Sequence, residues 1–142
     1  MYELSKRSLD KLEGVDIDLV TVVCDAIKLT TIDFGVIQGL RTIEEQKELV
    51  AKGASQTMKS KHLDGKAVDL MAYVNGKGCW ELNVYDELAE AMAEAAVENN
   101  VGIRWGGAWT VPDIREWDGT MEDAMQSYID LRRSQGKRPF ID

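Results

Sequence analysis

Histidine is nearly missing from this chain: His62 stands alone in 142 residues. A serine triad and a cysteine-protease pair each call on a histidine, so this one side chain can serve only one such site. Cysteine is scarce too. Cys24 falls in a helical apolar pattern and Cys79 lies beside an expected turn. That spacing speaks against a paired-cysteine metal knuckle and makes two free thiols the default, with a disulfide open but unsupported. Positive charge is short, with 17 Lys and Arg against 25 Asp and Glu and a net charge of −8. This argues against nucleic acid as a partner, because phosphate binding relies on clustered basic side chains. No apolar run approaches the roughly 20 residues of a membrane span, and Met1-Tyr2-Glu3-Leu4-Ser5-Lys6-Arg7 has no apolar signal core. The expectation is a soluble chain made in the cytoplasm. Phosphate-loop and dinucleotide glycine patterns are absent, as are internal repeats, so nucleotide chemistry gains no support.

What is present is enough apolar content, 44%, for one domain with a true core and too little length for two. Ser5 can cap a first helix running to Leu12 and ended by Gly14. Asp16 can cap a second that carries Leu19, Val22, Val23, Ala26 and Ile27 on one face. Asp33 to Leu40 reads as a strand that delivers Arg41 at its end. Thr42 and Glu45 form a capping-box pattern for a helix that stops at Gly53, so Arg41 sits at a strand-to-helix junction where rigid elements fix the backbone on both sides. Asn75 to Gly78 reads as a turn, and Val84 to Asn99 as an alanine-rich helix suited to close packing. Ile103-Arg104-Trp105 reads as a short strand into the pair Gly106-Gly107. Thr120 with Asp123 marks the cap of a last helix ending near Gly136, and Arg138 to Asp142 reads as the start of a strand.

The stretch most suited to chemistry is Ser60-Lys61-His62-Leu63-Asp64-Gly65-Lys66-Ala67-Val68-Asp69-Leu70. Gly65 marks a turn, with His62 on a loop before it and Asp69 on a strand over Lys66 to Met71 after it. A neutral imidazole and a carboxylate both suit zinc, and a catalytic zinc keeps three protein ligands plus a water. Taken alone, a histidine near an aspartate is more often a capped turn or a satisfied core contact. Asp64, Asp113, Glu116 and Asp118 read as solvated carboxylates.

The fuller pattern Ser-x-His-x-x-Gly-x-Ala-x-Asp, here Ser60, His62, Gly65, Ala67 and Asp69, resembles the signature of the zinc peptidoglycan peptidases. That family includes the D-alanyl-D-alanine carboxypeptidases and the phage endolysins that cut the L-alanyl-D-glutamate bond. Gly39-Leu40-Arg41-Thr42 upstream and Trp105-Gly106-Gly107-Ala108-Trp109 downstream occur in the family's order, so the resemblance covers most of the chain. Ala108 departs from it, since an acidic residue commonly stands there in the family.

The resemblance implies an α+β fold of the hedgehog/DD-peptidase type, with helices packed on a small, mainly antiparallel sheet. It implies one peptidase domain over 1–142 and zinc held by His62 and Asp69. Zinc there would polarise the scissile carbonyl and supply a nucleophilic water near neutral pH. Arg41 would engage a substrate carbonyl or carboxylate, Ser60 would orient a ligand, and Trp105 and Trp109 would wall the cleft. Each has a plainer reading as a salt bridge, a turn serine and core aromatics respectively. The family's proton-shuttling acid precedes the third ligand, a histidine, by three residues. Either Pro139-Phe140 is that segment without its histidine, or Asp142 is the acid; the second alignment is the expectation, and it makes the domain end before its last ligand-bearing strand is complete. The implied function is zinc-dependent hydrolysis of peptidoglycan peptides by a monomeric phage endolysin that acts on the wall without general electrostatic attraction to it. The alternatives are a D-alanyl-D-alanine carboxypeptidase and a non-catalytic relative that binds wall peptide or a protein partner.

Overall fold

The computed structural model describes residues 1–141, and Asp142 lies outside them. Five helices and three strands follow one another as α1 (Lys6–Lys11), α2 (Ile17–Leu29), β1 (Asp33–Gln38), α3 (Ile43–Ala51), β2 (Asp69–Val74), β3 (Lys77–Cys79), α4 (Leu82–Asn99) and α5 (Met121–Ser134), with single 3-10 turns at Lys61–Asp64 and Ile114–Glu116. Helix starts are set by local chemistry. Ser5, Asp16, Thr42 and Thr120 each accept a backbone N–H of the first turn, and Thr42 forms the full reciprocal box with Glu45. These bonds satisfy donors that have no partner within the helix.

The strands form one antiparallel sheet in the order β1-β2-β3. Asn75 and Gly76, at φ 53° and 77°, join β2 to β3 through the left-handed turn that matches strand twist. Asn75-Gly76 is thus the expected turn, but the chain beyond it pairs again as β3, a strand the sequence reading did not separate from the turn. In the β1–β2 register Phe34 faces Ala72 and Val36 faces Leu70, and an irregularity at Ile37 brings Gln38 opposite Asp69. The α+β expectation with a small antiparallel sheet holds.

Helices α2 and α4 pack on each other and on this sheet. Val22, Val23, Ala26 and Ile27 meet Leu88, Ala91, Met92, Ala95 and Ala96, with Phe34, Val36 and Ala72 beneath. Alanine along α4 lets the helix bury a second side as well. Ala89 enters a smaller cluster with Ala108, Val111, Ile114, Met121 and Ala124. Ala108 is fully buried there among apolar side chains, so the position that departs from the family pattern is a core position here, where a carboxylate would lose its water.

Two expected strands do not form. Ile103-Arg104-Trp105 finds no sheet edge; its backbone instead accepts the Ile114 N–H at Ile103, at 2.9 Å. Arg138 to Ile141 is also outside the sheet. Tyr128 Oη bonds both the carbonyl and the N–H of Phe140 at 3.0 Å, and Arg132 donates to the Arg138 carbonyl, so side chains of α5 take the partners that a ladder would supply. Among the described residues, no helix is long and apolar enough to cross a membrane.

Candidate metal and substrate site

Strand β1 ends at Gln38, two residues before the expected Leu40, because Gly39 turns its carbonyl toward the His62 loop. That carbonyl lies 2.8 Å from His62 Nδ1. Arg41 then donates its backbone N–H to the His62 carbonyl at 2.9 Å. The two motifs, more than twenty residues apart in sequence, are therefore stitched together on both sides of the imidazole. Glycine is required at this position, because a Cβ there would collide with the Lys11 carbonyl oxygen and lie 2.7 Å from Val15 Cγ2.

His62 sits in the 3-10 turn, a tighter setting than the open loop expected for it, and is buried. Ser60 caps that turn by accepting the His62 N–H at 3.2 Å, so the motif serine orients the histidine through its backbone. Gly65 closes the turn at φ 68°, where an added Cβ would be 2.5 Å from the Gly14 carbonyl oxygen. Its own carbonyl accepts the Asp16 N–H at 2.7 Å. Lys66 is still tied to that turn, which is why β2 begins at Asp69 and not at Lys66.

These constraints bring His62 Nε2 to 3.4 Å from Asp69 Oδ1. With Nδ1 held by a carbonyl, Nε2 is the nitrogen left to face the carboxylate, the arrangement found where a histidine binds metal through one nitrogen and is oriented through the other. Burial pushes the imidazole pKa down, but the Asp69 hydrogen bond, the Gly39 carbonyl and the Asp69 charge together raise it above its ordinary value against the opposing Arg41 charge. A cation on Nε2 would meet the Asp69 carboxylate, while the Gly39 carbonyl stays on Nδ1. Ligand distances of about 2.0–2.2 Å at tetrahedral angles put two donors about 3.3–3.5 Å apart, so the observed separation fits a shared metal ion. Among the described residues no third His, Cys, Asp or Glu completes such a group.

Arg41 is buried at 8% exposure. Its Nη1 donates to Gln46 Oε1 at 2.5 Å and to Ser60 Oγ at 3.4 Å, and its Nη2 donates to Gln38 Oε1 at 2.8 Å. Asp69 Oδ2 is 3.7 Å from Nη2, making Asp69 the group between arginine and histidine. Arg41 is within salt-bridge reach of Asp69, as its plainer reading has it, but its closer partners are two neutral amides and a hydroxyl. Gln38 and Gln46 were not singled out by sequence reasoning; a glutamine inside the apolar side of α3 was the available signal for the second.

Trp109 is placed differently from the rest. Arg104 donates to its carbonyl and lies over its ring, 5.4 Å from the centroid. Its buried Nε1 has no hydrogen-bond partner among the described residues, and its carbonyl bonds Arg104, not Arg41, His62 or Asp69. Trp105 packs against the smaller apolar cluster, in line with its core reading. Asp113 caps the second 3-10 turn and is bound by Arg115 at 2.8 Å, so it is engaged structurally. Cys24 and Cys79 are both free thiols.

The family model of the phage L-alanyl-D-glutamate peptidase matches residues 1–130. An L-alanyl-D-glutamate peptidase of Escherichia phage T5 is 32% identical over 112 residues, spanning 76% of this chain and 82% of that protein. One of Listeria phage A118 is 29% identical over 109 residues, 77% of this chain but 38% of the larger relative. The crystal structure of the Serratia marcescens L-Ala D-Glu endopeptidase ChiX superposes with a TM-score of 0.70 at 41% identity, covering 76% of this chain and 82% of that one. The His62–Asp69 pair beside a buried arginine thus occurs in a chain that belongs to the phage L-alanyl-D-glutamate peptidase family.

Proposed function

We propose that this protein is a zinc-dependent endolysin peptidase that hydrolyses the L-alanyl-D-glutamate bond of peptidoglycan stem peptides. The observation that carries the reading is the His62 Nε2 to Asp69 Oδ1 separation of 3.4 Å, with Nδ1 anchored on Gly39. His62 and Asp69 would hold the metal, which when bound supplies Lewis-acid polarisation and an activated water. Arg41 lies beside that pair and binds a carbonyl or carboxylate of the wall peptide, for which a planar charged donor is suited. Ser60 holds the histidine turn, and Trp109 is assigned to the substrate-side wall. Asp142 takes the proton-transfer role by its place in the family pattern. The chain acts as a monomer on the wall, after synthesis in the host cytoplasm.

The names of the matched relatives favour cleavage after L-alanine over removal of terminal D-alanine. The test is digestion of purified peptidoglycan with mass analysis of the products, alongside zinc content after dialysis. New D-glutamate amino termini that disappear with chelator and return with zinc are expected. His62→Ala and Asp69→Ala should each abolish stoichiometric zinc binding. Free D-alanine would move the assignment to a carboxypeptidase, zinc binding without any turnover to a binding protein, and unchanged zinc in both variants would remove the site.

A further inference from the structure

Gln46 is one of the largest side chains in the molecule with no solvent exposure, and it is polar. A buried primary amide must have its donors and acceptor placed, and here they are. Oε1 accepts Arg41 Nη1 at 2.5 Å, while Nε2 donates to Ser55 Oγ at 2.8 Å and to the Thr57 carbonyl at 2.5 Å. The orientation is fixed by its partners: the guanidinium offers only donors, and the Thr57 carbonyl only accepts. Gln46 therefore ties the arginine at the end of β1 to the segment that leads into Ser60 and His62.

Neutrality is the second feature. In a chain with 25 acidic residues, the close partners of Arg41 among the described residues are Gln38, Gln46 and Ser60, and the nearest described carboxylate, Asp69, stays at 3.7 Å. An amide holds a guanidinium in place without cancelling its charge, whereas a carboxylate at the same point would bind it more strongly and quench its field. Such a cradle suits an arginine whose charge has work to do elsewhere.

We infer that Gln46 is a positioning residue for the peptidase reaction, acting through Arg41 by fixing the guanidinium through a neutral amide and not an ion pair. The inference rests on the proposed role of Arg41 and is tested apart from it. Gln46→Met, which keeps volume and removes both kinds of hydrogen bond, should lower kcat/KM about tenfold or more with zinc content unchanged. Gln46→Glu should fail to rescue, since it quenches the arginine and turns an oxygen toward the Thr57 carbonyl. In an Arg41→Ala background, Gln46→Met should cost no further kcat/KM, because neighbours acting through one group are not additive.

A merely structural glutamine would lower melting temperature but add its loss equally in both backgrounds, and that additivity overturns the proposal. Full activity of Gln46→Glu overturns it as well. Should Gln46→Met not fold, the nitrogen-15 spectrum of the unmodified protein decides. Hindered Arg41 Nη hydrogens in slow exchange are expected, and free guanidinium rotation overturns the cradle. If Arg41→Ala itself keeps parental activity, the role of Arg41 fails, and that outcome is read before any variant of Gln46 is made.

Discussion

Asp86 offers a quantitative test of how the α4 and α5 helices meet. It is buried at 7% exposure, its Oδ1 has no hydrogen-bond partner among the described residues, and it lines a pocket of about 300 Å³ with Asn83, Glu87, Glu90, Thr120 and Glu122. Burial, then the charges of Glu122, Glu87 and Glu90, push its carboxyl up from 3.8 to about 6. Below the lower value both folded and unfolded chains hold the proton and the group has no effect. Between 3.8 and about 6 the folded chain keeps a proton that the unfolded chain has released, so stability falls as pH rises. Above that window the full penalty stands. At 1.36 kcal/mol per unit the shift corresponds to about 3 kcal/mol, and screening by water in the open pocket reduces the expectation to about 2 kcal/mol.

Asp86→Asn cannot ionise and should therefore be more stable than the parent by about 2 kcal/mol near pH 7.5, with the advantage gone near pH 3.5. Urea unfolding curves at a series of pH values read this directly. Added salt should shrink only the part due to the three glutamates, because screening acts on charge pairs and not on burial. An advantage independent of pH, or no advantage at neutral pH, would refute the reasoning.

Arg41→Ala should lower kcat/KM by roughly a hundredfold while zinc content holds, as loss of one charge-stabilising donor does. Because the side chain is buried among three hydrogen-bond partners, the variant should also lose about 1–3 kcal/mol in denaturant unfolding. Lost stability with parental specific activity would make Arg41 structural. Gly39→Ala drives a Cβ into the Lys11 carbonyl and should cost about 1–3 kcal/mol or more. It should also weaken zinc binding, because the same residue holds His62 Nδ1; calorimetric titration showing parental zinc affinity would sever that link.

The sequence by itself determined whatever depends on neighbours within a turn or two. Ser5, Asp16, Thr42 with Glu45 and Thr120 were readable as caps because a cap is a bond from one side chain to a backbone N–H two or three residues on. His62 and Asp69 were readable as a pair because a tight turn closed by Gly65 and a strand fix seven residues of spacing almost unaided. Tertiary structure alone decided the rest. Strands at Ile103 to Trp105 and Arg138 to Ile141 had the right composition but no ladder partner, and a strand exists only as half of a pair. The Gly39 carbonyl on His62 and the Gln38 register opposite Asp69 join elements far apart in the chain, and the Gln46 amide links the nearby Arg41 to the Thr57 segment. Which polar groups meet in a buried space is set by how the sheet and helices dock, and each must find a partner there because burial removes water as the alternative.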